Sequence, residues 1–300
     1  MADIAVVIPC FNSGRFLEDA LGSVLRQSRR AAEVVVVDDG STNIYTRQLL
    51  TSLEYPETRI VRTSNRGLSA ARNHGIRLTT ADYLVTLDAD DRLHPEYLAK
   101  TAARLDANPA LGFVSTAIRA FGEASWVWTP PACTVVNGLV RGAAHPASMV
   151  RRQVWQAVGG FDESPAFLKG GGDLDFWLSA MELGVHGEVI VEPLLEYRVR
   201  ATSMRQDSLA SGGQLRLTEA PFRKHRASIA AIGPHLLVEK DQCRKCDTPN
   251  RLGTMPAEPL PAGSLFSRTA PTNRLAFFGS VSAGPISVLL RRDWLPIASN

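Results

Sequence analysis

Four short apolar runs punctuate the first 110 or so residues, and the stretches between them have helical spacing. That alternation constrains the fold more than any other feature of the chain. "IAVVIP", "EVVVVDDGST", "RIVRTS" and "YLVTLDADD" are too short for helices, and their apolar parts lack the polar alternation of a one-sided strand. The first, second and fourth suit buried strands, and the third reads as a strand as well. After the first, Asn12 and Ser13 can cap a helix in which Phe16, Leu17, Ala20, Leu21, Val24 and Leu25 recur at helical spacing. Thr46–Leu53 reads as helical, and so does Gly67–Leu78, with Leu68, Ala71 and Ile76 on one side. Pro95 is placed as the first helical residue before "EYLAKTAARLDAN". Strand and helix repeated four times predict a parallel, doubly wound α/β sheet with helices on both faces.

Acidic residues sit where such a sheet binds ligands, at the carboxyl ends of its strands. Asp38 and Asp39 follow one run, with Gly40 and Ser41 for a tight turn; Asp88, Asp90 and Asp91 follow another. An Asp-x-Asp-Asp at a strand end can hold a hard divalent cation, whose shell is completed by water and phosphate oxygens. It can equally be a solvated turn before a capped helix. Two acidic strand ends converging on one sheet edge favour a site.

From about residue 111 the pattern loosens. "LGFVSTAIRAFG", "SWVWT" and "GEVIVEPLLEYRVR" read as strands, and "RRQVWQAVGGFDES" as a short helix and a Gly-Gly turn. "DLDFWLSAMELG" reads as a helix, with Phe176, Leu178, Met181 and Leu183 available for packing and Gly184 closing it. Beyond about Gln206, Gly, Pro and Ser accumulate, which predicts a helix around Leu215–Ile232 and then an irregular tail. The expected organisation is therefore 1–110, 111–205 and an extension, 206–300.

With 45% hydrophobic residues in 300, the chain can build one large domain or a domain plus an appendage. A net charge of +3 is too mild to argue for nucleic acid, though it tolerates an anionic ligand or membrane surface. Cys10, Cys133, Cys243 and Cys246 form no disulfide framework, and no signal-peptide pattern precedes the first strand. These features predict a reducing, cytoplasmic setting. The apolar run "LAFFGSVSAGPISVLL" is shorter than the ~20 residues a spanning helix needs.

The blocks "VVIPCFNSGRFLEDALGSVLRQS", "VVVVDDGSTN", "NRGLSAARNHGI", "DYLVTLDADD" and "VGGFDES" occur in the order seen in family 2 glycosyltransferases, and the chain resembles that family over about residues 4–203. The resemblance implies an inverting enzyme of the GT-A fold: a Rossmann-like, mainly parallel sheet flanked by helices, here followed by a C-terminal helical and irregular extension. It implies a nucleotide-diphosphate sugar as donor, most readily a UDP-sugar, and a carbohydrate, lipid-linked or other hydroxyl acceptor. Pro9, Phe11 and Asn12 would line the nucleotide pocket. Asp39 would recognise the nucleobase with Asp38 beside it, Asp88 would lie near the ribose, and Arg72 near phosphate or ribose oxygens. Asp90, with Asp91 as the alternative, would ligate Mn²⁺ or Mg²⁺.

The family's catalytic base comes from an acidic pair ahead of an aromatic-containing helix. In "GGGDLDFW" Asp173 matches its second member, while Gly172 stands where an acid is usual. Asp173 is the expected base and Asp175 the runner-up; a helix cap is the structural alternative for Asp173. The Gly172 departure also leaves open an inactive nucleotide-sugar-binding relative. A nucleotidyltransferase is disfavoured because "PCFNSGRF" lacks a Gly-rich basic loop, and an NAD enzyme because no G-x-G-x-x-G follows the first strand. No Gln-x-x-Arg-Trp block is present, so one sugar per encounter is expected, with peripheral membrane contact possible at the inner face. His145 and Trp155 read as structural and Trp177 as core, while Trp126 and Trp128 can stack on sugars. Cys243 and Cys246 have zinc-ligand spacing without a second pair.

Overall fold

The computed structural model describes residues 2–53, 55, 57–168, 170–201 and 214–233. The Cys243–Cys246 pair, the apolar run near the C-terminus and most of the expected extension lie outside the described residues. The four predicted runs are β1 (Ile4–Cys10), β2 (Glu33–Asp38), β3 (Thr58–Arg62) and β4 (Tyr83–Thr86). They pair in parallel in the order β3-β2-β1-β4. Their connections are α1 (Gly14–Leu25), α2 (Ile44–Ser52) and α3 (Leu68–Arg77). The chain continues through β5 (Arg92–Leu93), α4 (Tyr97–Ala107), β6 (Leu111–Gly122), β7 (Val127–Trp128), α5 (Val135–Arg141), β8 (Met149–Arg151) and α6 (Arg152–Val158). It then forms α7 (Gly172–Glu182), β9 (His186–Val199) and α8 (Gln214–Lys224). The sheet extends past β4 as β8-β6-β9-β5, with β7 on β6. There it is mixed: β8 runs antiparallel to β4 and β6, while β9 runs parallel to β6.

The period-2 geometry of a strand sorts the apolar runs into two cores. Ile4, Val6 and Ile8 of β1, with Val34, Val36 and Val85, pack against Leu17, Leu21 and Val24 of α1 and Leu98 and Leu105 of α4. The intervening Ala5 and Val7, with Val35, Val37 and Leu84, pack against Ile76 of α3, Val154 of α6 and Phe176, Trp177 and Leu178 of α7. Leu183, expected to pack, is exposed. Pro9 sits inside β1 without breaking the sheet. Val7 accepts from Leu87 and so faces β4, whereas Cys10 accepts from Asp39 and so faces the β2 side. Pro9 shares the orientation of Val7, but the β1–β4 ladder ends at Val7 and Thr86, so its missing N–H has no partner to lose.

Two expected helix starts differ. Ser13 stands at the start of α1 but donates to the Phe11 carbonyl instead of capping, and the Asn12 amide is used elsewhere. Pro95 lies in the turn before α4, whose first helical residue is Tyr97.

The described part of the extension, α8 and a helical run over 226–233, docks on α7 through buried charge. Asp175, at 1% exposure, accepts from Lys224 at 2.9 Å and from His225 at 3.1 Å. Glu182 accepts from the other His225 ring nitrogen at 2.8 Å and from Ser228. Burial by itself lowers the pKa of His225, but the hydrogen bonds to Asp175 and Glu182 outweigh it and raise the value from 6.5 to about 9. A raised folded-state pKa means that this stabilisation is fully present below about pH 6.5 and is lost as pH rises through about 9. The melting temperature of the wild type should fall across that window by more than that of His225→Gln. Parallel curves would show that the imidazolium does not hold α8.

Candidate active site

Parallel register brings the acidic strand ends together. Cys10 is level with Asp38, and β4 stops at Thr86, two residues before Asp88. Gly40 makes the turn after β2 with φ of 73°, and a Cβ there would lie 2.6 Å from the Asn65 backbone nitrogen, so glycine is required. Asp38 is buried, accepts from the Ser41 N–H at 2.8 Å and lies 3.4 Å from Arg62. The Asn12 side chain, from a residue with φ of 55°, accepts from the Thr42 and Asn43 amides at 2.9 and 2.8 Å. Asp38 and Asn12 therefore hold the β2–α2 loop. Phe11 is the exposed aromatic at this edge, whereas Pro9 is buried in β1.

Asp39, the residue expected to recognise the nucleobase, is held by backbone amides. Its two oxygens accept from the backbone N–H groups of Arg66 and Gly67 at 2.8 and 2.9 Å, at the start of α3. Burial raises its pKa, and the two amides oppose that rise. A carboxylate on helix-start amides is the favourable sense of the helix dipole. Asp39 thereby fixes residues 66–67 at the start of α3.

The Asp88–Asp91 turn divides its charges. Asp88 pairs with Arg72 at 2.7 Å, and that arginine's side chain is 3% exposed. Asp90 pairs with Arg200 at 2.5 Å. Burial, then the charge of Asp88, raises the Asp90 pKa, with Arg200 opposing. Asp91 is turned inward: it is 5% exposed and accepts from the Arg198 N–H of β9 at 2.8 Å. Burial, then Asp90 and Asp88, holds its pKa well above the usual range. Asp90 is the expected metal ligand and Asp91 its alternative, and both carboxylates are engaged within the protein. Asp91 ties the turn to β9 and Asp90 faces a guanidinium, so the two do not converge. Family 2 enzymes generally use a divalent cation, but a cation shared by Asp90 and Asp91 does not fit these residues. Among the described residues no group of three or more His, Cys, Asp and Glu side chains converges on one point.

The start of α7 meets the start of α3. Gly171 is the N-cap in a left-handed conformation, and a Cβ on Gly172 would lie 2.6 Å from Ser69 Oγ, one helical turn before Arg72. The Gly172 departure is thus accommodated by this close approach. Asp173 follows, half-buried and with no hydrogen bond or ion pair among the described residues. It is not the helix cap. Asp175, the runner-up, is buried with Lys224 and His225 and both its oxygens are engaged there.

Sequence reasoning missed Asn73. Its amide nitrogen donates to the Phe161 carbonyl at 2.7 Å and to Glu163 at 2.9 Å, and its oxygen accepts from Trp155 at 3.1 Å and the Phe161 N–H at 2.9 Å. It is the buried peg on which the "GGFDE" turn hangs, and its place within "NRGLSAARNHGI" was the available signal. Arg198 and Arg200 were also missed, since a charged strand end carries no pattern. Trp177 packs between Phe113 and Phe176, as expected of a core residue. Trp126 lies against Tyr197, 6.1 Å between ring centroids. His145 is structural: burial drives its pKa down to about 3, and its ring nitrogen lies 3.2 Å from the Thr116 N–H.

Asn73→Ala would strand the Phe161 N–H, the Phe161 carbonyl and the Trp155 N–H, each costing about 1–3 kcal/mol when buried without a partner. Allowing for partial relaxation, urea unfolding should show a loss of roughly 2–4 kcal/mol. A loss under about 0.5 kcal/mol, ordinary for surface positions, would contradict the role of the peg.

Comparisons with known proteins place the chain in a family. The model "Glycosyl transferase family 2" matches residues 5–154. The uncharacterized glycosyltransferase YibD of Escherichia coli is 34% identical over 93 residues, 31% of this chain and 27% of its own length. The succinoglycan biosynthesis protein ExoO of Rhizobium meliloti is 32% identical over 213 residues, 65% of this chain and 60% of its own. A crystal structure of S. aureus TarS in complex with UDP-GlcNAc superposes with a TM-score of 0.57 at 20% identity, covering 68% of this chain and 60% of that one. The chain spans no more than 60% of the length of any of these three. The TarS likeness carries the GT-A fold, and the matched blocks carry the family: this chain belongs to glycosyl transferase family 2.

Proposed function

We propose that the chain moves one glycosyl unit from a UDP-sugar to a hydroxyl group of a carbohydrate, lipid-linked or other acceptor, with inversion, in the synthesis of a cell-surface glycan. Residues 1–110 hold the donor and 111–205 the acceptor, with part of 206–300 docked on α7. The single observation that carries this reading is Asp173: neighbouring carboxylates are committed to arginines, backbone amides or α8, whereas this one, at the start of α7, has no partner among the described residues and is available to take a proton. The complexes of TarS with UDP and UDP-GlcNAc support the choice of donor, and ExoO's role in succinoglycan biosynthesis supports the class of product. Both described cysteines are free, in keeping with a reducing cytoplasmic setting. No described helix is long and apolar enough to cross a membrane.

In the proposed step Asp173 accepts the proton of the acceptor hydroxyl. The acceptor oxygen attacks the anomeric carbon from the face opposite the diphosphate. The carbon–oxygen bond to the diphosphate breaks, and its electron pair leaves on the phosphate oxygen. Arg72, held by Asp88, lies beside that developing charge. Asp38, Asp39, Phe11 and Asn12 shape the nucleobase side of the pocket, with Pro9 behind them.

Asp173→Asn should lower single-turnover transfer by roughly 10²-fold or more, the scale of a lost general base, and leave UDP affinity within about twofold by calorimetry. Asp175→Asn should instead lower the melting temperature, because it uncouples α8. Full activity of Asp173→Asn would remove it as the base. Selective loss of turnover in a stably folded Asp175→Asn would transfer the role there. Absence of any transfer or donor hydrolysis by the wild type, despite UDP binding, would favour the nucleotide-sugar-binding reading that the Gly172 departure allows.

A further inference from the structure

The end of β9 presents two arginines two residues apart, and they do different work. Arg198 is held by two hydrogen bonds and two aromatic rings. It donates to the Asp90 carbonyl at 2.8 Å and to Asp19 at 2.6 Å, and its guanidinium lies 4.7 and 4.4 Å from the ring centres of Phe16 and Phe121. Among the described residues Arg200 makes one hydrogen bond, to the Asp90 carboxylate, and it lies 4.9 Å from the Phe16 ring centre. A guanidinium carries five N–H donors, and the buried Nε of Arg200 has no partner among the described residues. Arg72 repeats the arrangement at the other carboxylate: one ion pair to Asp88, and a buried Nε without a partner. A buried donor left unpaired is costly, and ligand oxygens that engage these guanidiniums would offset that cost.

We infer that Arg200, anchored on Asp90, stands where a divalent cation would stand in this site, and that Arg72 and Arg200 together cradle the diphosphate of the donor without requiring a metal. The inference rests on the proposed reading of the pocket as a nucleoside-diphosphate site. Two guanidiniums supply the two positive charges of one divalent ion, and each presents a planar fork suited to phosphate oxygens. They are held apart on carboxylates two positions apart in one turn, so their spacing is set by backbone. A cation approaching Asp90 must displace Arg200 and overcome its charge. Phe16 limits that displacement, because its ring lies against Arg15, Arg198 and Arg200 at 4.5, 4.7 and 4.9 Å. When the anomeric bond breaks, the electron pair left on the diphosphate is met by guanidinium charge already in place.

The test is calorimetric titration of UDP into the full chain, in EDTA and in Mn²⁺, for the wild type, Arg200→Gln and Arg200→Lys. The wild type should bind UDP in EDTA with an affinity within about threefold of that in Mn²⁺. Arg200→Gln should lose roughly tenfold or more in EDTA, the scale of a lost charge-assisted hydrogen bond, and Mn²⁺ should restore much of it by occupying the vacated Asp90. Arg200→Lys keeps the charge without the fork and should fall between; it also serves if the Gln variant does not fold. Binding by the wild type only when Mn²⁺ is present would overturn the inference while leaving the donor reading intact. Unchanged EDTA affinity in folded Arg200→Gln would do the same. No UDP binding by the wild type in either condition would overturn the donor reading and this inference with it.

Discussion

The parallel pairing of β1 with a strand on each side is the constraint on which the rest of the structure depends. Ile4–Ile8 is buried on both faces, so its backbone must be satisfied by β2 and β4 and its side chains by helices above and below. That requirement aligns the ends of three strands. It delivers Asp38, Asp39 and Asp88–Asp91 to one edge with little freedom in their placement.

Negative charge concentrated in this way needs an answer, and arginine provides most of it. Arg62 stands near Asp38, Arg72 on Asp88, and Arg200 on Asp90. Asp39 and Asp91 are answered by backbone amides. Asp173 is outside this scheme. It sits on a helix whose other carboxylates are spent docking α8, and among the described residues it is the one left unpaired, at the helix start. The pairing also limits what the edge can do: groups locked to one another hold a ligand by exchanging partners or by offering spare donors, and the arginines have the spare donors.

The sheet was legible because its signal is coarse. β-branched runs that must be buried on both faces cannot be anything but strands, and the helices between them announce themselves by period. β5 and β8, two and three residues long, were not read from the sequence, and neither was α5. The site was legible in its residue types and in which strand ends carry them. Which way each side chain turns was not. Asp90 and Asp91 are adjacent in sequence, yet one meets the Arg200 guanidinium and the other is turned inward to the Arg198 amide. Asp173 and Asp175 differ by about 200° of helix rotation, which separates a free carboxylate from a buried one. Asn12 resembled a cap and proved to be a loop clamp, because a residue at positive φ turns its amide towards the neighbouring turn. Arg200 gave no warning, because its meaning comes from a partner 110 positions away.

Membership of family 2 sets the chemistry in outline, and the residues of this chain give that outline a particular form: a free aspartate at a helix start, facing an edge where arginines hold the acidic turn. The central claim is that this edge receives the donor's diphosphate. A crystal structure with UDP bound tests it most directly. The account predicts phosphate oxygens within hydrogen-bond distance of Arg72 and Arg200, with the uracil on the Asp39 side and Asp173 opening towards the vacant sugar site. UDP seated away from the carboxyl end of β4, or phosphates out of reach of both arginines, would contradict it.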